Sequence, residues 1–216
     1  MLVEAPIYEP LSFNTSKSMS RNEDDNPLPP GMRDPARRHL ANPVFKDYTT
    51  VEKYSRETHG EYTRFSGGVR AGGGNPLHYH TTYTETFILS EGELSLETGG
   101  VISVLKAGET ATVPTGVVHR FFNPSPDKEC KFAVEIRPGH EGFEKFLYIA
   151  YGMANDGLCD EDGIVKDKSV MALISDLGDI RLAGSWAMLM NPMIKGLAAY
   201  KRWMGVEEEL LRRYWY

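Results

Sequence analysis

The sequence predicts a mainly β protein, an antiparallel sandwich or barrel followed by a helical region. Between residues 45 and 138, short runs rich in Val, Ile, Thr, Tyr and Phe alternate with Gly, Pro and Asn, which is typical of antiparallel strands joined by tight turns. After Pro138 the apolar residues recur at helical spacing instead. A chain of 216 residues is long enough for one well-buried core with an appendage, whereas two full domains would be cramped.

Residues 1–44 are predicted to form a polar N-terminal arm that is partly disordered. Their central stretch, NEDDNPLPPGMRDPARR, is too polar and too rich in Pro to bury much surface. One interpretation is an arm that wraps a partner subunit or covers a pocket, and plain disorder is the other.

Seven strands are predicted in the β region, residues 45–138. Gly92 and the Gly99-Gly100 pair supply the left-handed backbone conformations that tight hairpins require, so they separate successive strands. The predicted strands are Glu61–Val69, Thr84–Leu89, Glu93–Glu97, Val101–Leu105, Thr110–Val113, Val118–Asn123 and Lys131–Arg137.

Residues 139–216 are predicted to form a helical C-terminal extension. Apolar residues from Phe143 to Met153, and again from Val170 to Leu177, repeat at helical spacing. Further helices are predicted at Trp186–Trp203, with a break at Pro192, and at Val206–Tyr214. Their apolar sides must be buried against the barrel, over its mouth or against a partner subunit, and the sequence leaves these placements open.

Charge and hydropathy exclude two classes of partner. Lys and Arg total 24 against 30 Asp and Glu, a net charge of -6, so the chain lacks the basic surplus of nucleic-acid-binding proteins. The most apolar late stretch, residues 182–200, is interrupted by Asn191, Pro192 and Lys195, so no membrane span is expected. The two cysteines, together with a first segment that does not read as a secretory leader, favour a cytoplasmic location.

Four residues of metal-ligand type occur in two separate segments. His78 and His80 are two residues apart, so on an extended strand both imidazoles project from the same face. Glu85 follows five residues later, where its carboxylate can fold back beside them. His119 comes after a Pro-x-Gly turn, at the head of another predicted strand. Three neutral imidazoles and one carboxylate suit Fe(II), Mn(II), Ni(II), Co(II), Zn(II) or Cu(II), with coordination positions left for water and substrate.

Each part of this pattern alone has a simpler interpretation. Two histidines on one strand are more often structural or incidental than a metal site, and a single histidine beside aromatic residues is usually a hydrogen-bonded core residue. The combination favours the metal site, because all four residues fall at turn and strand positions that can converge inside one small barrel.

These segments resemble the two motifs of the cupin family. The first motif, G-x5-H-x-H-x4-E-x6-G, and the second, G-x5-P-x-G-x2-H-x3-N, are both complete. Their residues here are Gly72, His78, His80, Glu85 and Gly92, then Gly108, Pro114, Gly116, His119 and Asn123. The resemblance implies a small jelly-roll β-barrel that holds a divalent metal through His78, His80, Glu85 and His119. Fe(II) is the favoured ion, with Zn, Ni, Mn, Co or Cu as alternatives.

Two further sets of residues are assigned roles in the site. Glu85 and His119 are the predicted catalytic residues, and Glu85 is also a candidate base. A second set is predicted to line the substrate pocket, although ordinary barrel core is the simpler interpretation for each aromatic side chain. This set consists of Tyr83, Phe87, Phe121 and Asn123. Asn123 is interpreted equally well as a hydrogen-bonding group behind the metal ligands or as a strand terminator.

The leading functional hypothesis is a metal-dependent cupin enzyme of the dioxygenase type, an oxidoreductase. Its substrate is expected to be a small oxygen-chelating organic molecule with apolar or aromatic surface. The alternatives are a non-redox isomerase, cyclase, dehydratase or decarboxylase on the same metal, and a non-catalytic small-molecule-binding cupin. The Gly-rich run GGVRAGGG leads into the His-x-His strand and not into a helix, so it does not indicate a nucleotide cofactor. The apolar helical tail and the edge strands of the β region predict a homodimer.

Overall fold

The protein consists of two antiparallel sheets, five α-helices and two short 3-10 helices, Pro35–Arg38 and Ser55–Thr58, in the part of the chain that the structure, a computed structural model, describes. The described residues are 27–161, 163–183 and 185–216, and the side chains of residues 182 and 185–189 are not described. The strands are β1 (His39–Asn42), β2 (Asp47–Lys53), β3 (Thr63–Val69), β4 (His78–Tyr79), β5 (Thr84–Glu91), β6 (Glu93–Thr98), β7 (Val101–Lys106), β8 (Thr110–Val113), β9 (His119–Phe122), β10 (Cys130–Arg137) and β11 (Arg181–Leu182). The helices are α1 (Pro30–Arg33), α2 (Glu141–Asn155), α3 (Lys168–Leu177), α4 (Ser185–Trp203) and α5 (Val206–Tyr214).

The two sheets form a sandwich. The first has six strands in the order β1-β2-β3-β10-β5-β8, and the second has five in the order β11-β4-β9-β6-β7. Their inner faces share one apolar cluster, in which Phe87 and Phe132 of the first sheet pack with Leu94 and Leu96 of the second. The predicted mainly β fold with helices after it is confirmed. The two sheets are not joined into one closed barrel, because β8 and β7 remain edge strands.

All seven predicted strands are present, with bounds that differ by at most two residues. Four further strands are present: β4 lies where the His-x-His pattern indicates an extended strand, and β1, β2 and β11 were not predicted. Two of these, β4 and β11, contain only two residues each, too few to show a periodic pattern. In β2 the sequence DYTTVEK is polar, and its membership of the sheet comes from antiparallel pairing with β3.

Part of the range assigned to the polar arm belongs to the folded unit. Residues 1–26 lie outside the described residues, but β1 pairs with β2 at the edge of the six-stranded sheet. Arginines hold the segment before it: Arg33 and Arg37 donate to backbone oxygens of the last three residues, and Arg38 binds the Glu57 carboxylate through two nitrogens. Charge-assisted hydrogen bonds, which hydropathy does not register, therefore order this polar segment.

The C-terminal extension packs on the six-stranded sheet, one of the placements that the sequence left open. A second apolar cluster joins strand residues such as Val51 and Phe65 to buried residues of α2, α3 and α5, including Ile149, Leu173 and Leu211. The sheet is therefore covered on this side by the protein's own helices.

Helix α4 runs from Ser185 to Trp203 without the break that the sequence predicts at Pro192. Proline removes one backbone donor and crowds the carbonyl four residues before it. The packing of α4 along α3 and α5 compensates for this cost. None of the helices in the described ranges combines the length and hydropathy that a membrane crossing requires.

A buried carboxyl group, that of Glu144, links α2 to the segment before β3. Its Oε1 atom accepts hydrogen bonds from the Ser55 backbone N–H and the Thr63 hydroxyl, both at 2.7 Å. Its Oε2 atom has no partner among the described residues. Burial raises the pKa of Glu144 to about 7, although both hydrogen bonds oppose the shift. The native state therefore favours the protonated carboxyl.

This raised pKa predicts a pH-dependent loss of stability. Between the ordinary pKa of 4.5 and about 7 the folded state binds more protons than the unfolded state, so the free energy of unfolding falls as pH rises through this window. From pH 5 to pH 8, wild type should lose about 2 kcal/mol more than the Glu144→Gln variant, measured by urea unfolding. Equal losses in the two proteins would contradict the assignment.

Candidate metal centre

The structure brings His78, His80, Glu85 and His119 together between the two sheets. His78 on β4 lies opposite His119 on β9, and Glu85 comes from β5 of the other sheet. One donor atom from each side chain can be chosen so that all four lie within 4.8 Å of one another. His78 is 9% exposed and the other three are more buried. The four candidate ligands of the sequence thus form one compact, nearly dry cluster.

Each imidazole ring is held from behind by a backbone carbonyl. The Nδ1 atom of every histidine in the cluster lies within 3.0 Å of a carbonyl oxygen, which can only accept, so Nδ1 carries the proton. The acceptors are Pro76 for His78 (2.8 Å), Asp179 for His80 (3.0 Å) and Val117 for His119 (2.9 Å). This leaves the Nε2 atoms for the centre of the cluster, the arrangement that orients metal-binding histidines.

The inner atoms of the cluster are incompletely satisfied without an ion. His119 Nε2 lies 2.8 Å from Glu85 Oε2, and because both of its ring nitrogens face acceptor oxygens, this ring carries two protons when no ion is bound. His80 Nε2 lies 3.6 Å from the same oxygen, is buried, and has no hydrogen-bond partner among the described residues. Buried imidazole nitrogens are normally paired, so this atom indicates a missing partner with a positive charge or a proton.

The local electrostatics favour an ionised Glu85 and a neutral His78, whereas His119 must lose a proton before it can bind an ion. Burial alone would raise the pKa of Glu85, but His80 and His119 outweigh it and hold that pKa well below its ordinary value. Burial, and then the neighbouring histidines, lower the pKa of His78 to about 3, so its ring is neutral. Burial also lowers the pKa of His119, but its hydrogen bond to Glu85 more than offsets this, and the pKa is raised. The cluster thus presents an ionised carboxylate beside imidazoles, a donor set that could hold one divalent ion.

Two residues behind His80 complete its support. Tyr83, predicted as a pocket residue, lies instead behind this ring: its hydroxyl is 2.7 Å from His80 Nδ1 and donates to the Gly178 carbonyl at 2.9 Å. Asp179, which the sequence analysis missed, accepts hydrogen bonds through its carboxylate from the backbone N–H groups and hydroxyls of Thr81 and Thr82, at 2.7 to 2.9 Å. No motif marks Asp179, and the helix end at Gly178 was the one signal in the sequence at this position.

A cavity of about 200 Å³ leads from the cluster into the space between the sandwich and helices α2 and α3. His78 and Glu85 line it, as do Phe87 and Phe121, two of the predicted pocket residues. Asn123 instead holds a turn, where its side chain donates to the carbonyls of Val69 and Lys128 and accepts from the Ser125 backbone. Most of the other lining residues are aromatic or aliphatic, including Phe65, Phe132, Phe143, Phe146 and Leu147.

Comparison with known proteins identifies the β region. Residues 68–136 match the family model described as a cupin domain. The matched residues are a cupin domain. The matched range contains all four residues of the cluster and most of the two sheets around them. The search among curated proteins gives no match.

Several solved structures resemble part of the chain. The RmlC-like cupin from Shewanella frigidimarina has 21% identity and a TM-score of 0.42, over 48% of this chain and 86% of that one. A predicted oxalate decarboxylase from Thermotoga maritima has 18% identity and a TM-score of 0.41, over 43% and 80%. KdgF from Halomonas sp. has 14% identity and a TM-score of 0.40, over 44% and 82%. The family assignment rests on the family model.

The support of His80 by Asp179 predicts a measurable loss of stability. In Asp179→Asn an amide NH₂ replaces one of two carboxylate oxygens that both accept hydrogen bonds, so at least one donor loses its partner, and the ion pair with Arg181 is lost. Asn tolerates the left-handed φ of 53° at this position, so the backbone is not strained. The free energy of unfolding in urea should fall by about 2 kcal/mol. Asp127→Asn, in an exposed loop, is the control, and equal effects of the two changes would refute the role of Asp179.

Proposed function

We propose that the protein is a metal-dependent cupin enzyme that acts on a small oxygen-chelating organic molecule, with dioxygenase-type oxidation as the favoured reaction. The observation that carries this proposal is the buried, unpartnered Nε2 atom of His80 inside a converging set of three histidines and one carboxylate. His78, His80, Glu85 and His119 would hold the ion, with Fe(II) favoured among the divalent metals. When bound, the ion would supply Lewis acidity and a binding position for the substrate's oxygen atoms.

The protein's own residues have three tasks in this proposal. The backbone carbonyls behind the imidazoles keep their Nε2 atoms directed inward. Glu85, whose pKa lies well below its ordinary value, contributes negative charge that offsets the charge of the cation. The aromatic lining, with Phe87 and Phe121 near the middle of the sandwich, binds the apolar part of the substrate and excludes water.

Separate observations support the favoured reaction and its alternative. The enclosed apolar lining favours oxidation, because it admits apolar dioxygen and keeps water from reactive species. The alternative is non-redox chemistry, an isomerase, cyclase, dehydratase or decarboxylase. It is supported by Glu85, whose Oε2 faces the centre and could accept a proton from a substrate held there.

Metal analysis tests the ligand set. Protein purified without added metal, or reloaded after chelation, should contain an equimolar amount of a divalent transition metal by elemental analysis. His78→Ala and His119→Ala should each lower the metal content by more than about tenfold. His39→Ala removes an exposed imidazole from β1 and should leave the content unchanged. Full metal content in both cluster variants would show that the ion is bound elsewhere.

Oxygen uptake tests the reaction. Metal-loaded protein would be mixed with catechols, 1,3-diketones and α-hydroxy ketones, which share an oxygen chelating group, and followed with an oxygen electrode and by chromatography. Oxidation predicts uptake that matches product formation and ceases without oxygen. Product formed equally well under anaerobic conditions would replace oxidation by the non-redox alternative. Tight binding with no product would leave a non-catalytic binding protein.

A cytoplasmic location and a homodimer stay predictions. The five-stranded sheet offers one surface for the dimer, because its edge strand β7 exposes Val101, Ile102 and Val104. Light scattering that gives the mass of a single chain would contradict the dimer.

A further inference from the structure

A second polar position lines the same cavity, away from the histidines. Asp47, on β2, is among the lining residues, and Tyr151 of α2 donates its hydroxyl proton to Asp47 Oδ2 at 2.8 Å. The other oxygen, Oδ1, is buried and has no hydrogen-bond partner among the described residues. A buried carboxylate oxygen without a partner is costly. The Asp47 carboxylate therefore has an open acceptor position next to an otherwise apolar space.

Asp47 lies at the opposite end of the cavity from the metal centre. Along the strand direction of the six-stranded sheet, Glu85 is level with Thr63 at the start of β3, because both residues pair with Ile136 of β10. Asp47 instead pairs with Val69, at the end of β3.

Helix α2 shows the same separation. The ring of Phe143, at the start of α2, lies 6.1 Å from that of His80. Tyr151 follows eight residues later, about 12 Å further along the helix axis. Phe146, Leu147 and Ala150 of the same helix line the cavity between these ends. The cavity thus has two polar ends and an apolar middle.

We propose that Asp47 is a specificity-determining residue, which accepts a hydrogen bond from a hydroxyl or ammonium group at the far end of the substrate. The substrate class that fits is an elongated apolar molecule, with an oxygen chelating group at one end and a hydrogen-bond donor at the other. This inference rests on the proposed function, since it places the chelating group at the metal centre.

The electrostatics of Asp47 agree with this role. Burial raises the pKa of Asp47 to about 6, although the hydrogen bond from Tyr151 opposes the shift. The carboxylate is therefore largely ionised at neutral pH, and its incomplete solvation makes it a strong acceptor for a donor group. The contact with Tyr151 occupies only Oδ2, so a purely structural link between β2 and α2 leaves Oδ1 unexplained.

Three metal chelators that differ only at the end far from the chelating group test this inference through their binding affinities. The probes are 4-phenylbutanehydroxamic acid and its para-hydroxy and para-aminomethyl derivatives, titrated calorimetrically into the Zn(II)-loaded full chain. All three carry the same chelating group, and only the derivatives carry a distal donor. At least one derivative should bind about tenfold more tightly than the parent probe. Which of the two gains more distinguishes a hydroxyl from an ammonium ligand.

Two variants test whether the gain in affinity of the derivatives depends on Asp47. Asp47→Asn should leave the dissociation constant of the parent probe unchanged and remove most of the gain of the derivatives. Tyr48→Phe removes a hydroxyl from the next residue of the strand, one that binds Glu129, and should keep the full gain. Thermal unfolding of each variant establishes that it is folded. The comparison of the three probes in the wild-type protein is a test that does not depend on the folding of any variant.

The outcomes separate this inference from the proposed function. If the parent probe binds the metal-loaded protein but neither derivative gains affinity, or the gain survives in Asp47→Asn, the role of Asp47 is refuted while the metal centre stands. If the protein takes up no Zn(II), or the parent probe binds equally well without it, the proposed function fails and the inference fails with it.

Discussion

The candidate site depends on one constraint, the hydrogen bond that each of three imidazoles makes through Nδ1 to a backbone carbonyl. Because the carbonyls of Pro76, Val117 and Asp179 accept these bonds, every ring is held in one orientation with a proton on Nδ1. The Nε2 atoms then meet Glu85 in a buried space where few other partners exist. The cost of burying these polar atoms is recovered when they share a cation, which is why the unpartnered Nε2 of His80 is informative.

The helical extension contributes to the centre as well as covering it. Asp179, directly after α3, binds His80 through its carbonyl and fixes the neighbouring Thr81 and Thr82 through its carboxylate. Helix α2 contributes aromatic residues to the cavity and meets β2 through the bond between Tyr151 and Asp47. The sandwich and the extension therefore line one cavity, so part of its lining lies outside the range that the family model matches.

The sequence predicts the β region and the four converging residues well, because both leave local signals. Turn glycines such as Gly92 mark strand ends, and the spacing of His78 and His80 is that of one strand face. Contacts between distant segments leave no such signal. Strand β1 is held by pairing and by arginine hydrogen bonds, and Asp179 reaches Thr81 across 98 residues. Tyr83 and Asn123 were predicted to line the substrate pocket, but their side chains make hydrogen bonds to an imidazole and to backbone groups instead.

The most direct test of the account is a crystal structure of the metal-loaded protein with anomalous diffraction data collected at the absorption edge of the bound ion. The account predicts one anomalous peak per chain, within coordination distance of the Nε2 atoms of His78, His80 and His119 and of a Glu85 carboxylate oxygen. A peak at another place, or an ion bound through an Nδ1 atom with its carbonyl bond broken, would contradict it.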